Sequence, residues 1–347
     1  MAGRSGYARL IPAARVAKTR VPPPERVRDA LATPEPAEAM AAFRDYIPGL
    51  AEAKSPEDAG AAVYSWLAGM AWRLSRLAPG AAAEALLAFA LDEVALDMLI
   101  AMEAAARGSR PESMVTSRVE WTPTARLARE PELLSSPERV VEAARGFTGL
   151  QAGLSWALQA ARQARDPRVY TLAYPAVSYM VYTAPLASLD PLSVRWITRI
   201  VCPGLAHRAA RAAAQAVLQG VDPRLAAAAI PRIRDPYCGI PWASLGELAE
   251  REAYEEQVVS TLRQLLPGLG VEGKTLAEAL EASHRVARSR IRAAAHAALT
   301  SYPFHAGVAA AALALAKLAA ESVRGVVNAV YLRLHPDEYA EPLGVEA

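Results

Sequence analysis

Apolar residues recur at spacings of three and four along most of the chain. After Ser136, the residues Val140, Val141, Ala144, Phe147 and Leu150 fall on one face, which predicts a surface helix with a single buried stripe. Ala306 to Ala316 is apolar throughout. Beyond it Lys317, Glu321, Arg324 and Asn328 follow at steps of four, three and four, with apolar residues between them. That pattern predicts a helix wrapped by protein on most sides, with one narrow polar edge, at the centre of its unit. No run alternates with period two, so no strand is predicted.

Helix starts are written out in the sequence. A Ser, Thr or Asp precedes proline at Thr33-Pro34, Ser55-Pro56, Thr122-Pro123, Ser136-Pro137, Asp166-Pro167, Asp190-Pro191, Asp222-Pro223 and Asp235-Pro236. The side-chain oxygen accepts from an orphan backbone N–H, and proline fits the first helical position, where no N–H is needed. So many starts imply many short helices, some of the pairs being turns.

Composition strengthens the helical reading. Alanine, the best helix former, supplies 78 of 347 residues, and aromatics are only 6%. The fold class is therefore all-α. The formal charge is +2, from 38 basic and 36 acidic residues, which argues against a dedicated nucleic-acid binder. Only four basic residues are lysine, and Asn328 is the only asparagine. Low asparagine suits a heat-stable protein, but a GC-rich genome gives the same arginine and alanine bias, so neither separates the two. Cys202 and Cys238 are too few for a disulfide framework and read as small core residues of a protein in a reducing cytoplasm.

No membrane span is expected. Met1 to Arg20 is basic without an apolar core, unlike a signal peptide. Tyr170 to Leu189 is uncharged, but it holds Pro175, Pro185 and four tyrosines. Ala306 to Ala316 is far shorter than the roughly 20 residues a bilayer needs. Both read as buried segments.

An internal repeat is visible. Three Ala-rich helices run into similar ends: Arg107-Gly108-Ser109-Arg110-Pro111-Glu112, Gln219-Gly220-Val221-Asp222-Pro223-Arg224 and Arg333-Leu334-His335-Pro336-Asp337-Glu338. The prolines lie 112 and 113 residues apart. Leu31-Ala32-Thr33-Pro34-Glu35 also resembles Leu134-Ser135-Ser136-Pro137-Glu138. Three related helical units follow, at residues 1–112, 113–224 and 225–347.

Motifs for chemistry are missing. The five histidines, His207, His284, His296, His305 and His335, make no ligand spacing with one another or with cysteine. The nearest acidic motif, Asp92 to Asp97, places two aspartates five apart, which does not stack them on one helix face. There is no phosphate-binding glycine loop and no nucleophile elbow. No catalytic residue, metal or cofactor is assigned. Arg285, Arg288 and Arg292 share a helix face that is either solvated or a docking surface.

The chain's end carries a resemblance. Tyr302-Pro303-Phe304, the apolar helix from Gly307 to Leu318, Glu321-Ser322-Val323-Arg324 and Leu334-His335-Pro336-Asp337-Glu338 fall in the order seen in the C subunits of archaeal A-type and bacterial V/A-type ATP synthases, a family that includes the vacuolar d subunits. Tyr7-Ala8-Arg9-Leu10 with Ala14-Arg15-Val16 is similar to that family's opening, and Leu86 to Gly108 to the end of its first repeat. The acidic-Asn pair typical of the family is replaced by Leu96-Asp97, Arg208-Ala209 and Glu321-Ser322, which marks a divergent member.

The resemblance implies three similar helical subdomains in a pseudo-threefold funnel. It implies a non-catalytic central-stalk adaptor on the cytoplasmic side of the membrane. Its partners would be the proteolipid ring and the central-shaft subunits, with no nucleic acid and no small-molecule substrate. Torque would pass through it in proton or sodium transport coupled to ATP synthesis or hydrolysis. Candidate interface residues are Gly108, Pro111, Gly220, Pro223, His335, Pro336 and Asp337, expected on one rim, with Arg285, Arg288 and Arg292. A helical-repeat scaffold unrelated to ATP synthase and an all-α enzyme with a dispersed site are the other classes.

Overall fold

The computed structural model describes residues 4–334 except 252. The described residues contain helices and no strand. In chain order the helices are α1 (Leu10–Thr19), α2 (Pro24–Leu31), α3 (Pro36–Ala41), α4 (Pro56–Ser75), α5 (Ala81–Ala106), α6 (Pro123–Arg129), α7 (Pro137–Ala143) and α8 (Thr148–Ala164). They continue with α9 (Val169–Leu172), α10 (Tyr174–Thr183), α11 (Pro191–Leu218), α12 (Pro223–Ala229), α13 (Trp242–Ala249), α14 (Glu255–Leu265), α15 (Leu276–Thr300) and α16 (Gly307–Tyr331). Short helices are numerous, as the starts imply, but five helices of 20 residues or more also form: α4, α5, α11, α15 and α16.

Five of the eight proline starts open helices. Ser55, Thr122 and Ser136 accept from the backbone N–H three residues on, at α4, α6 and α7. Asp222 accepts from Arg224 at α12, and Asp190 accepts from the Ser193 N–H at α11. The other three are turns or helix ends. The Thr33 hydroxyl donates to the Asp29 carbonyl, and Asp166 and Asp235 collect backbone N–H groups in loops. The stripe from Val140 to Leu150 belongs to two helices, because Gly146 takes a φ of +99° and breaks the run between α7 and α8. Val140, Ala144 and Leu150 are nevertheless fully buried.

The chain divides into two compact units. The first comprises Met1–Ala90, Asp190–Ile197 and Arg292–Ala347. Its core is α16, which packs against α1, α2, α3 and α4. All of its apolar lead from Gly307 to Leu313 is buried. Glu321 and Arg324 are half-buried and Asn328 is exposed, so the predicted polar edge exists, although Lys317 at its head is buried. Joining α16 to α1 and α4 packs the last described helix onto the first ones of the chain.

The second unit comprises Leu91–Leu189 and Thr198–Ile291. Within it α8 packs closely against α10. A Cβ on Gly149 would stand 2.9 Å from the Met180 carbonyl oxygen, and one on Gly153 2.8 Å from a Val177 methyl. Only glycine permits that approach. The uncharged stretch 170–189 forms α9 and α10 against α8, largely buried through Thr183, with Ala187 and Ser188 exposed beyond them. Among the described residues no helix is long and apolar enough to cross a membrane.

Candidate functional site

Three long helices end in the same way. At the end of α5, Gly108 has a φ of +67°, the Ser109 N–H donates to the Ala104 carbonyl at 2.9 Å and the Gly108 N–H to Ala105. At the end of α11, Gly220 has a φ of +59°, Val221 donates to Ala216 at 3.0 Å and Gly220 to Val217. At the end of α16, Arg333 has a φ of +54°, Leu334 donates to Ala329 at 2.9 Å and Arg333 to Val330. Each is a left-handed helix cap with the paired bonds of a Schellman motif. Each left-handed residue precedes its proline, at 111, 223 and 336, by three positions.

Gly108, Gly220 and Pro223 are exposed and Pro111 is half-buried. His335, Pro336 and Asp337 lie outside the described residues. The basic face of α15 is less open than the spacing suggested. Arg285 approaches Glu281 at 3.8 Å, Arg292 is half-buried, and Arg288 is buried at 6% exposure.

Sequence spacing missed a buried polar bridge in the second unit. Asp92 on α5 is fully buried, and Arg208 Nη1 on α11 lies 2.8 Å from both of its carboxylate oxygens. The Ser178 hydroxyl on α10 donates to Asp92 at 2.6 Å, and the Tyr174 hydroxyl donates at 3.3 Å. Burial works against the Arg208 charge, but Asp92, Tyr174 and Tyr182 outweigh it and hold the guanidinium well above its ordinary range. Asp97 accepts from the Thr116 N–H at 2.9 Å and from its hydroxyl at 2.7 Å. Burial raises the Asp97 carboxyl above the usual range despite those bonds. Each aspartate of the 92–97 motif is thus tied to a different segment. No local signal could reveal the Asp92 pairing, since its partner lies 116 residues away.

His207 and His284 are neighbours, with ring centroids 5.1 Å apart, and His207 Nδ1 meets the Ser283 hydroxyl at 3.0 Å. Burial, then the positive fields of His284, Arg211 and Arg208, lower the His207 pKa to about 3. It is a neutral core histidine at pH 7.

A second polar node lies in the first unit. The Tyr7 hydroxyl donates to Asp190 at 3.1 Å, and the Ser193 hydroxyl donates to the same carboxylate at 2.6 Å. Ser193 Oγ in turn accepts from the Ala306 N–H at 2.9 Å, at the start of α16. Trp196 stacks on His305 at 6.0 Å, and a Cβ on Gly307 would meet Trp196 Cβ at 2.4 Å. Tyr7 and Tyr302-Pro303-Phe304, which carry the sequence resemblance, therefore lie at or beside the place where the chain's beginning, middle and end are joined.

The cysteines correct the sequence reading. Cys202 on α11 and Cys238 are joined by a disulfide closing a span of 36 residues. They are not free core thiols. No family model and no curated protein sequence matches the chain.

Proposed function

We propose that this chain is the central-stalk adaptor of a V/A-type ATP synthase or ATPase. In this reading three related helical subdomains make a funnel at the cytoplasmic face of the membrane. One side sits on the proteolipid ring and the other receives the tip of the rotating shaft. Torque from proton or sodium flow passes through the body of the chain to the catalytic head, or back again during hydrolysis.

The observation that carries the reading is the threefold recurrence of one helix terminus. The left-handed residues 108, 220 and 333 sit 112 and 113 residues apart, each with the same pair of carbonyl acceptors behind it. That recurrence supports three copies of one unit. The packing of α16 on α1 and α4 brings the first and last described helices into one unit. An open solenoid, in which each repeat touches only its neighbours, keeps its ends apart. The sequence resemblance supplies the stalk role.

The test is co-purification. A tagged chain, extracted with membranes in mild detergent, should bring down the ring and shaft subunits in fixed ratio. Recovery of the chain alone, from membranes that yield an intact motor by other means, would refute the reading.

A further inference from the structure

Between α12 and α13 the chain runs without regular structure over residues 230–241. Its ends are anchored by apolar burial: Ile230 and Pro231 at one end, Ile240 at the other. Its middle is open, with Arg232, Ile233, Arg234, Pro236 and Gly239 exposed. An exposed segment with little apolar contact opens easily unless something else holds it.

Two ties hold it. Asp235 gathers the loop around its carboxylate, accepting from the N–H groups of Tyr237 at 2.8 Å, Cys238 at 2.9 Å and Ile240 at 2.9 Å. It also accepts from the Tyr179 hydroxyl on α10 at 2.6 Å. The second tie is covalent, from Cys238 to Cys202 on α11, and both cysteines are half-buried rather than sealed in the core. Beneath the segment, Trp242 packs edge-to-face on Tyr179 with centroids 5.5 Å apart, and its indole N–H is buried with no hydrogen bond among the described residues. The helices on either side also have packing of their own: α12 packs on α8 and α9, and α13 on α12 and α14.

We propose that Cys202–Cys238 is a redox-controlled clasp that fastens residues 231–239 to α11 when oxidised and frees them as a flap when reduced. The reductant is a dithiol. One of its thiolates attacks one sulfur of the pair, forming a mixed disulfide and expelling the other cysteine as a thiolate; its second thiolate then attacks its own sulfur in the mixed disulfide, closing a ring and expelling the first cysteine. Two electrons and two protons pass to the protein, giving two cysteine thiols and one cyclic disulfide. This inference does not rest on the stalk reading.

Hydrogen exchange on the full-length chain tests it. Compare oxidised protein with protein held in dithiothreitol, the two free thiols being counted by mass after alkylation. Reduction should speed exchange of the 231–239 amides by about tenfold or more, with α8 and α11 keeping their protection over the same minutes. Reoxidation should restore it, and Cys202→Ser should match the reduced protein. Unchanged protection after complete reduction overturns the proposal. So does a uniform rise across all helices, which would make the bond a general staple, or a failure of oxidant to join the two thiols at all.

Discussion

Individual side chains in this protein are set by what surrounds them more than by their own chemistry. His207 is the clearest case. Its folded pKa of about 3 lies below the ordinary histidine value of 6.5. The unfolded chain therefore takes up a proton near pH 6.5 that the folded chain refuses. The stability conferred by neutral His207 is complete above pH 6.5 and falls as pH drops toward 3. By pH 5 the loss amounts to about 2 kcal/mol. Urea unfolding of the wild type and of His207→Asn, from pH 7 to 4, should show a shallower decline in the variant. Equal slopes would mean that His207 accepts its proton in the fold. The Asp92–Arg208 pair obeys the same logic of surroundings. Asp92 is sealed and Arg208 is 24% exposed, so the bridge has one buried end and one wet one. Both α10 and α11 reach its carboxylate.

At the scale of elements, helix ends were the part most open to reading. A cap and its proline are neighbours in sequence, and the physics joining them is local, so Ser55, Thr122, Ser136, Asp190 and Asp222 announced their helices. Gly108 and Gly220 announced two stops. The third stop was legible from Pro336 in the repeated ending, while the left-handed turn at Arg333 was not, since an arginine there gives no composition signal. Gly146 divides the Val140–Leu150 stripe by the same backbone device, unseen because the apolar period carries on across it. Glycines here serve two purposes that substitution should separate. Gly220→Ala meets nothing within 4 Å and should cost about 1 kcal/mol through its backbone alone. Gly149→Ala drives a methyl onto the carbonyls of Met180 and Val181 and should cost about 1–3 kcal/mol, as overpacking does. Arg333→Gly should stabilise, by about 0.5–1 kcal/mol, by relieving the left-handed arginine. Chemical denaturation of the three variants checks the ranking, and a destabilising Arg333→Gly would contradict it.

For the whole molecule, the all-α class was legible from alanine content and period, and the prolines and tyrosines of residues 170–189 marked a buried segment and not a membrane span. The long-range ties were not legible. Asp92 to Arg208, Tyr7 to Asp190 and Cys202 to Cys238 join residues 116, 183 and 36 apart, and no spacing rule reaches that far. The cysteines were misread because two of them are too few for a disulfide framework, which favoured reading them as reduced thiols.

The stalk reading makes this chain a transmitter of rotation, so its decisive test is coupling. ATP hydrolysis and ATP-driven ion uptake should be measured in vesicles carrying the motor with the chain present, stripped away and added back. If torque passes through the chain, stripped motors go on hydrolysing ATP while ion uptake collapses, and the purified chain restores it. Ion uptake that persists at full rate without the chain would contradict a role in transmission.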